Sequence, residues 1–461
     1  MNRAIEIILA LTIVGATLAF GGVQTITFSI MEVVVFALMF AVLVQQTRQG
    51  EIRLPLPVWT ALFAALVVVQ LVPLPPSLVG ALSPNRVPDL KLVPQAAWAA
   101  FSVYPHGTLL NLVKFLAYLS AFALAAFVSD FRKGRSVLVR ALILLGFFEA
   151  AYGIVQYLTG WQKIFTYAKI YDLEEATGTY INRNHYAGLL EMVLPFVVAA
   201  AFYSFQVWSS HRHAYGEGRE AEERTSAAYQ TLFYSFLLVF MMVAVIFSRS
   251  RMGILGAILS LVIVAGLAQV RVRRKAWLLG VAFFLACALG YGLWIGLGPV
   301  LARYEGMSDP ANLRIEGRFM IWRDTLQMIR DYPLFGTGLG TFELVYRQYQ
   351  TGMVTMNVEN THNDFLQFAA ETGLPGATLL FLPIIYLLIK MIGSFLDDPR
   401  SYRRSVTLGC IGSTTALLLH SLTDFNLQLP ANALIFAVVL GLGYRVVYIE
   451  RGSSRGENSR P

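Results

Sequence analysis

The chain has 461 residues, of which 56% are apolar and 14% are charged, and its formal net charge is +8. A soluble domain carries about 25% charged residues, so this composition argues against a soluble globular protein and favours one embedded in lipid. The positive charge does not indicate nucleic-acid binding, because the basic residues lie in short runs between long apolar segments.

Apolar segments of about 20 residues recur along the chain. Such a segment crosses the hydrocarbon core as a helix, because the backbone must satisfy its own hydrogen bonds in lipid. The first segment resembles a signal peptide, but a second apolar run follows at once, so we interpret it as a retained span. The sequence predicts an all-α integral membrane protein with about twelve transmembrane helices, at 4–21, 26–45, 57–74, 109–129, 136–158, 187–208, 229–247, 252–270, 276–299, 375–394, 405–423 and 431–449.

The basic residues predict the orientation of these spans. Cytoplasmic loops of membrane proteins are enriched in Lys and Arg. With a cytoplasmic N-terminus, the outer turns at 22–25 and 424–430 carry no Lys or Arg. The basic residues that then fall on the cytoplasmic side are Arg3, Arg48, Arg53, Arg132, Lys133, Arg135, Arg212, Arg219, Arg224, the run RVRRK at 271–275, Arg400, Arg403, Arg404, Arg451, Arg455 and Arg460. Both termini are therefore expected in the cytoplasm.

The spans divide the chain into three regions. Residues 1–299 hold nine spans with outer loops at 75–108 and 159–186, residues 300–374 form a long outer loop, and residues 375–461 hold three spans and a cytoplasmic tail. Proline is frequent in the first outer loop, which predicts an irregular surface loop.

The outer loop 300–374 is the one soluble-like segment of substantial length. It contains apolar residues at helical spacing, which predict an amphipathic helix on the membrane surface or on the bundle: Phe319, Trp322, Leu326 and Ile329. Its polar residues are expected to face elsewhere: Arg323, Asp324, Gln327 and Arg330. The glycines of GTGLGTF at 336–342 follow no strand, so we expect a flexible turn there and not a dinucleotide site.

Four polar clusters interrupt the apolar pattern. They are YINRNHYAG at 180–188, FSRSRMG at 247–253, residues 361–364, and HSLTDFNLQLPAN at 420–432. All four fall on the outer side of the predicted topology, although the topology was derived from basic loop residues and not from these clusters. This agreement predicts that the clusters lie on the same side of the membrane.

Arg249 and Arg251 lie at a tight outer turn between two spans. An arginine near a span is costly unless it is paired, hydrated or able to reach the interface, and a snorkelling arginine is the simpler interpretation. Against it, two arginines occur within three residues at the end where basic residues are disfavoured. A guanidinium binds phosphate through paired hydrogen bonds, so a lipid-linked phosphate or pyrophosphate would supply the missing anion.

Arg183 lies among hydrogen-bond donors that include Asn184 and His185. These side chains suit an anionic ligand. An ordinary loop in which Asn184 caps the following helix explains the pattern equally well, because Asn is a favoured N-cap residue.

The stretch NTHNDFLQFAAETGLPG at 360–376 predicts a short helix. Thr361 is the expected N-cap and Asp364 its capping-box partner, while Gly373 and Pro375 end the helix. His362 would then lie in the first turn, where the helix dipole disfavours the charged imidazolium and free N–H groups favour an anion. A neutral histidine there is a candidate general base; a histidine that packs locally is the alternative.

His420 and Asp424 give a weaker signal. A polar pair at the end of a span, with a capping role, is the preferred interpretation, and a carboxylate that orients His362 is possible. Cys287 and Cys410 each lie inside an apolar run and are interpreted as buried thiols, not as a disulfide or metal ligands. No metal-binding pattern was identified in the outer segments.

Several motifs in this order resemble the O-antigen ligase and polymerase superfamily. GTGLGTF and THNDFLQFAAETGLPG resemble its signature region, SRSRMG and NRNHYAG its arginine motifs, and HSLTDFNLQLPANA its closing segment. The resemblance covers roughly residues 180–435. It implies a bacterial inner-membrane glycosyltransferase with a periplasmic site, which takes a glycan from undecaprenyl pyrophosphate with inversion and without a metal or other cofactor.

The resemblance also implies roles for individual residues. Arg183 matches the first arginine of the family, Arg251 matches the second better than Arg249 does, and His362 matches the histidine proposed to activate the acceptor. The candidate catalytic residues are therefore His362, Arg251 and Arg183. The candidate substrate-binding residues are Arg249, Asn184, His185, Asn363, Asp364, Arg318, His420 and Asp424.

The implied partners are the bilayer, the carrier-linked glycan donor and a glycan acceptor such as lipid A–core; nucleic acid is not expected. A ligase and a polymerase need the same donor site and differ in the acceptor, so the sequence leaves both open, with a slight preference for a ligase. A transporter or flippase for the same carrier would also need outer arginines. It should show charged residues near mid-membrane and repeated halves, neither of which was identified.

Overall fold

The computed structural model describes the chain apart from residues 1, 51, 53, 93–95, 130, 132–135, 211–217, 273–312 (except 282 and 286), 352–356, 399–400 and 450–461. Its helices are α1 (Asn2–Leu18), α2 (Thr25–Arg48), α3 (Val58–Leu71), α4 (Pro76–Leu82), α5 (Val87–Leu92), α6 (Pro105–Val128), α7 (Val137–Thr159), α8 (Arg183–Ser210), α9 (Arg219–Phe247), α10 (Arg251–Val272), α11 (Leu313–Asp331), α12 (Phe342–Tyr346), α13 (Asp364–Asp397), α14 (Ser401–His420) and α15 (Pro430–Tyr444). A hairpin of two-residue strands, β1 (Lys163–Ile164) and β2 (Tyr167–Ala168), connects α7 to α8.

Within the described residues, eight helices are long and apolar enough to cross a membrane. They are α2, α6, α7, α8, α9, α10, α13 and α15, the last with the turn that follows it. This confirms an all-α membrane protein, whereas the predicted count of twelve spans is not established. The predicted spans at 4–21 and 57–74 correspond to the shorter helices α1 and α3, and the one at 405–423 corresponds to α14, which is not among the eight. The predicted span at 276–299 lies outside the described residues.

The bundle is built around α8. In the apolar stretch of this helix 83% of the residues are buried, and α14, α9, α10 and α7 pack against it. Two glycines of α14 allow close approach: a Cβ on Gly409 would lie 2.4 Å from Phe196, and one on Gly412 would lie 2.5 Å from Pro195. Small residues at such contacts are the usual means of packing helices within a membrane.

Helix α13 is broken near its start. Gly373 has φ +71° and ψ 173°, which separates a short segment, Asp364–Thr372, from the long apolar part. The predicted end of the helix at Gly373 is thereby confirmed as a kink. A side chain at this position would lie 2.4 Å from the carbonyl oxygen of Leu334, so the kink also admits a neighbouring segment.

The predicted amphipathic helix forms as part of α11, but its buried face differs from the prediction. Phe319 and Leu326 are 62% and 46% exposed, while Met328 is buried. Asp324, predicted to face away, is buried and accepts hydrogen bonds from the Tyr346 hydroxyl group and the Thr351 backbone N–H. The reason is that α11 packs on α12 and on the first part of α13 through a stripe offset from the predicted one: Ile321, Thr325, Met328, Ile329 and Tyr332.

The loop predicted to be irregular at 75–108 is partly helical. It contains α4 and α5, and its two ends meet in a bridge between Leu74 and Ala99. Phe101 stacks on Phe335 with ring centroids 4.1 Å apart. This loop therefore packs against the segment that carries the glycine motif.

The stretch GTGLGTF is a packed turn, so the prediction of a flexible turn is wrong. Gly336, Gly338 and Gly340 all have positive φ angles, of 66°, 114° and 77°. The buried carboxylate of Glu371 accepts hydrogen bonds from the backbone N–H groups of Gly340 (2.8 Å) and Phe342 (3.3 Å). A Cβ on Gly336 would overlap the backbone of Glu371, whereas Cβ atoms on Gly338 and Gly340 would overlap the side chains of Ser102 and Asn111.

Substitution of Gly336 by alanine should lower the stability of the detergent-solubilised protein by about 2 kcal/mol or more, because strained backbone and steric overlap both contribute. The added Cβ would lie 2.3 Å from the backbone of Glu371. The control is Gly393→Ala in α13, where no atom lies within 4 Å of the new Cβ. Thermal unfolding should show a lower melting temperature for Gly336→Ala alone; equal melting temperatures would contradict the packed turn.

Candidate active site

A buried carboxylate, Asp424, lies in the turn between α14 and α15. Its side chain is 2% exposed. Oδ2 accepts a hydrogen bond from the Asn184 side chain at 2.6 Å, and Oδ1 accepts one from the Phe425 backbone N–H at 2.9 Å. The carboxylate thus connects the start of α8 to the end of α14.

Three cationic or titratable side chains surround this carboxylate. Nε2 of His185 and Nδ1 of His362 each lie 3.8 Å from Oδ1 of Asp424. The Arg318 guanidinium on α11 lies 3.6 Å from Oδ2 and also donates a hydrogen bond to the Thr423 carbonyl oxygen at 2.7 Å. The predicted residues His185, His362, Arg318, Asn184 and Asp424 are therefore brought together.

The ring of Phe425 separates the two imidazoles. Its centroid lies 4.7 Å from that of His185 and 4.9 Å from that of His362, in both cases edge to face. Within the described residues, neither Nδ1 of His362 nor Nε2 of His185 has a hydrogen-bond partner. His185 is buried, whereas the side chain of His362 is 31% exposed and can reach a ligand.

The surrounding groups keep Asp424 charged. Burial raises the pKa of a carboxyl group, yet the pKa of Asp424 is held well below its usual range. The groups that lower it are the adjacent His362 imidazole, the Arg318 guanidinium, and the imidazoles of His185 and His420. A carboxylate in this state stabilises positive charge on a neighbouring imidazole.

The backbone around His362 differs from the prediction. Asn363, not Thr361, is the N-cap of α13: its Oδ1 accepts from the Leu366 N–H at 3.0 Å and its Nδ2 donates to the Leu422 carbonyl oxygen at 2.9 Å. His362 therefore precedes the helix, with φ +52°, and it does not lie in the first helical turn as predicted. The negative charge of Asp424 is the nearer influence on its imidazole.

Thr361 instead holds the backbone on which His362 lies. Its hydroxyl group donates to the Asn363 carbonyl oxygen (2.6 Å) and accepts from the Asn363 N–H (3.0 Å). The indole N–H of Trp322 on α11 donates to the Thr361 carbonyl oxygen at 2.9 Å. The strained position of His362 is thus fixed from both sides.

Asn184, the N-cap of α8 in one interpretation of the sequence, does not cap this helix. Asn182 caps the helix, since its side-chain oxygen accepts from the Asn184 N–H at 2.8 Å. The side chain of Asn184 is therefore available for Asp424. Within the stretch 180–188, Asn182 therefore caps the helix and Asn184 contacts the site.

Two predicted residues lie behind the site and not on its open surface. Asp364 is fully buried, and its Oδ2 accepts from the Ser421 hydroxyl group at 2.7 Å and from the Leu427 N–H at 3.1 Å. His420 is also fully buried, and its Nδ1 lies 2.9 Å from Oε1 of Glu191. These contacts hold the turn that carries Asp424.

Two fully buried carboxylates lie inside the spans α7 and α8 and were not predicted. Glu191 on α8 contacts His420, and Glu149 on α7 accepts hydrogen bonds from the Thr179 N–H (2.8 Å) and hydroxyl group (2.6 Å). The statement that the spans lack charged residues is therefore wrong. The sequence signal for such a contact is an acidic residue within an apolar run, because an acidic residue in a membrane almost always has a partner.

The predicted arginines lie at the same end of the bundle. Arg183 begins α8, Arg249 lies in the turn after α9 with φ +52°, and Arg251 begins α10. A Cβ on Gly253 would lie 2.5 Å from Ala187, so the first turns of α10 and α8 are in close contact. This contact brings the Arg251 backbone close to the start of α8.

The partners of two arginines come from the loop before α8. Arg183 forms an ion pair with Glu175 and lies 3.6 Å from Asp172, and Arg249 lies 3.0 Å from Glu174. Cys410 is buried, as predicted, and Cys287 lies outside the described residues. In the described part of the chain, no group of three His, Cys, Asp or Glu side chains is placed to hold a metal ion.

Replacement of Asp424 by asparagine should reduce stability at neutral pH by about 1–3 kcal/mol, because Arg318 loses its charged partner. Because the pKa of Asp424 is lowered on folding, its contribution is complete above the unfolded pKa of about 3.9 and is lost as the pH falls below it. The contribution of the Asp424 carboxylate to the difference between wild type and Asp424→Asn should thus be lost below about pH 4, where the difference narrows.

Denaturation of the solubilised proteins across this pH range measures the difference. Glu343→Gln, on an exposed carboxylate at the same end of the bundle, is the matched control and should differ little from wild type. A difference between wild type and Asp424→Asn that widens below about pH 4 would contradict the assignment.

Comparison with known protein families supports the resemblance seen in the motifs. The O-antigen ligase family model (Wzy_C) matches residues 236–381, about a third of the chain. The matched region contains Arg249, Arg251, Arg318 and His362, and it ends before Asp424. No curated protein matches the chain. Together with its apolar helices, the match indicates a multi-pass inner-membrane protein. Residues 236–381 of this chain are therefore similar to the O-antigen ligase family.

Proposed function

We propose that the protein transfers a polysaccharide from undecaprenyl pyrophosphate to the hydroxyl group of an acceptor sugar on the periplasmic side of the inner membrane. Attachment of O-antigen to lipid A–core is the reaction we favour. The proposal is supported most directly by the cluster around Asp424, in which a partly exposed histidine of the matched family region lies beside a buried carboxylate. In the reaction the acceptor oxygen attacks the anomeric carbon, and the bond from that carbon to the pyrophosphate oxygen breaks with inversion.

His362 is the proposed general base. It is exposed enough to reach an acceptor hydroxyl group, and its Nδ1 lies 3.8 Å from Asp424. When the imidazole takes the proton of the hydroxyl group it becomes positively charged, and the adjacent carboxylate stabilises that charge. The distance is longer than a hydrogen bond, as is common for catalytic groups before the substrate binds.

The leaving group requires positive charge. The pyrophosphate gains negative charge as the glycosidic bond breaks, and preorganised cations at that position lower the barrier. Arg251, Arg183 and Arg249 are the proposed contributors, because a guanidinium keeps its charge and binds phosphate oxygens in pairs. Guanidinium groups would then perform the role that metal ions have in many phosphate sites, and we expect transfer to continue in the presence of a chelator.

The transporter alternative is weakened by the partners of the buried acids. Intramembrane carboxylates often mark a transport pathway. Here Glu191 contacts the buried His420, and Glu149 holds the backbone of Thr179. These contacts support a structural role in holding the loops that carry the site.

Replacement of His362 by alanine, expressed as the sole copy in a deletion strain, should reduce glycan transfer by at least about 100-fold, because general-base catalysis typically contributes that much. The protein should remain folded in the membrane, since the side chain is partly exposed. His106→Ala is the matched control, an exposed histidine on the outer side of the predicted topology. Surface polysaccharide and carrier-linked glycan should be measured together.

The length of the glycan that accumulates on the carrier distinguishes a ligase from a polymerase. Full-length polysaccharide that accumulates on the carrier would support a ligase. Single repeat units on the carrier would instead identify a polymerase, and normal surface polysaccharide in the His362→Ala strain would remove this histidine as the base.

A further inference from the structure

Two of the arginines proposed to bind pyrophosphate contact carboxylates from one short segment, Asp172–Glu175, here called the acidic segment. Arg183 is paired with Glu175 through Nη1 and Oε1, and Arg249 Nη1 lies 3.0 Å from Oε2 of Glu174. Asp172 Oδ2 accepts a hydrogen bond from the Arg183 backbone N–H at 3.2 Å. Every carboxylate of the segment thus lies next to one of these two arginines.

The backbone of the acidic segment is anchored just after its exposed residue, Glu174. The backbone N–H of Ala176, just after it, donates to the Phe247 carbonyl oxygen at 3.0 Å, and Lys169 donates to the Glu175 carbonyl oxygen at 3.0 Å. The side chain of Glu174 is 81% exposed, while that of its partner Arg249 is 11% exposed. Glu174 can therefore leave its arginine by rotation of a solvent-exposed side chain.

Carboxylate and phosphate oxygens occupy the same positions on a guanidinium. Both accept the parallel hydrogen bonds of its planar N–H groups, so two anions compete for one set of donors. A mostly buried guanidinium at the edge of a membrane also needs an anion at all times, because an unpaired charge there is costly. A binding site made of such arginines must therefore hold a substitute anion when its substrate is absent.

We propose that the acidic segment is this substitute: Glu174 and Glu175 occupy Arg249 and Arg183 in the donor-free protein, and the diphosphate of the lipid carrier displaces them. The inference rests on the proposed function, since it assumes that these arginines hold the carrier diphosphate. Return of the carboxylates then favours release of the carrier pyrophosphate after transfer. The exchange keeps the arginines paired throughout the cycle, at the expense of affinity for the donor.

Binding of inorganic pyrophosphate to the purified protein in detergent tests the exchange. Isothermal titration calorimetry at constant ionic strength, without divalent metal, should show about tenfold tighter binding for Glu174→Gln than for wild type, a typical size for coupling between competing groups. Glu174→Gln/Glu175→Gln should bind tighter still, and Glu174→Gln serves alone if the double variant does not fold. The matched control is Glu343→Gln, whose carboxylate pairs with Arg347, and it should bind as wild type does.

The remaining outcomes distinguish the two proposals. If Arg249→Ala weakens binding but Glu174→Gln binds no tighter than wild type, the exchange is wrong and the arginine site stands. If neither wild type nor any glutamate variant binds pyrophosphate, the exchange and the proposed arginine site both fail. Tighter binding in Glu343→Gln of the same size would show that the effect is one of overall charge, which also overturns the exchange.

Discussion

A carboxylate buried at the end of a membrane bundle must be paired or hydrogen-bonded, and Asp424 is surrounded by groups from three distant parts of the chain. Asn184 and His185 come from the start of α8, Arg318 comes from α11, and His362 comes from the backbone just before α13. Because each is directed at the same two oxygen atoms, the carboxylate fixes where these segments lie relative to one another. The candidate site is a consequence of that constraint.

Other charged side chains around Asp424 are also paired within the protein. The turn that carries Asp424 is held by buried acids on its inner side, Asp364 through Ser421 and Glu191 through His420. On the other side, the arginines of α8 and of the turn after α9 are paired with the acidic segment. Charges in this region are therefore compensated within the protein, and a charged substrate must exchange with some of them in order to bind.

Much of the fold follows from the sequence, because lipid imposes a strong requirement on length and hydrophobicity. The apolar runs predict the positions of the described spans, and Gly373 with Pro375 predicts the break in α13. The topology also predicts that four polar clusters share one side, and the structure brings them to one end of the bundle. These features depend on local properties of the chain.

The details that the sequence did not reveal depend on tertiary contacts. Thr361 and Asn363 are both good N-cap residues, and the choice is made by the bond from Asn363 to Leu422, 59 residues away. The central position of Asp424 in the site was not predicted, because its partner Asn184 is 240 residues away in the chain. The acidic segment was not predicted because its residues gain a role only through tertiary contacts, such as the one between Glu174 and Arg249, which lie 75 residues apart.

The central claim is that the residues before α8 and the turn carrying Asp424 face the same compartment. Cysteines placed singly at Tyr171 and Leu422, which are 67% and 46% exposed, in a background with Cys287 and Cys410 replaced by serine, can be labelled with a membrane-impermeant maleimide. Both should react in intact spheroplasts, whereas a cysteine at the exposed Arg219 should react only after lysis. Reaction of positions 171 and 422 from opposite sides of the membrane would contradict the account.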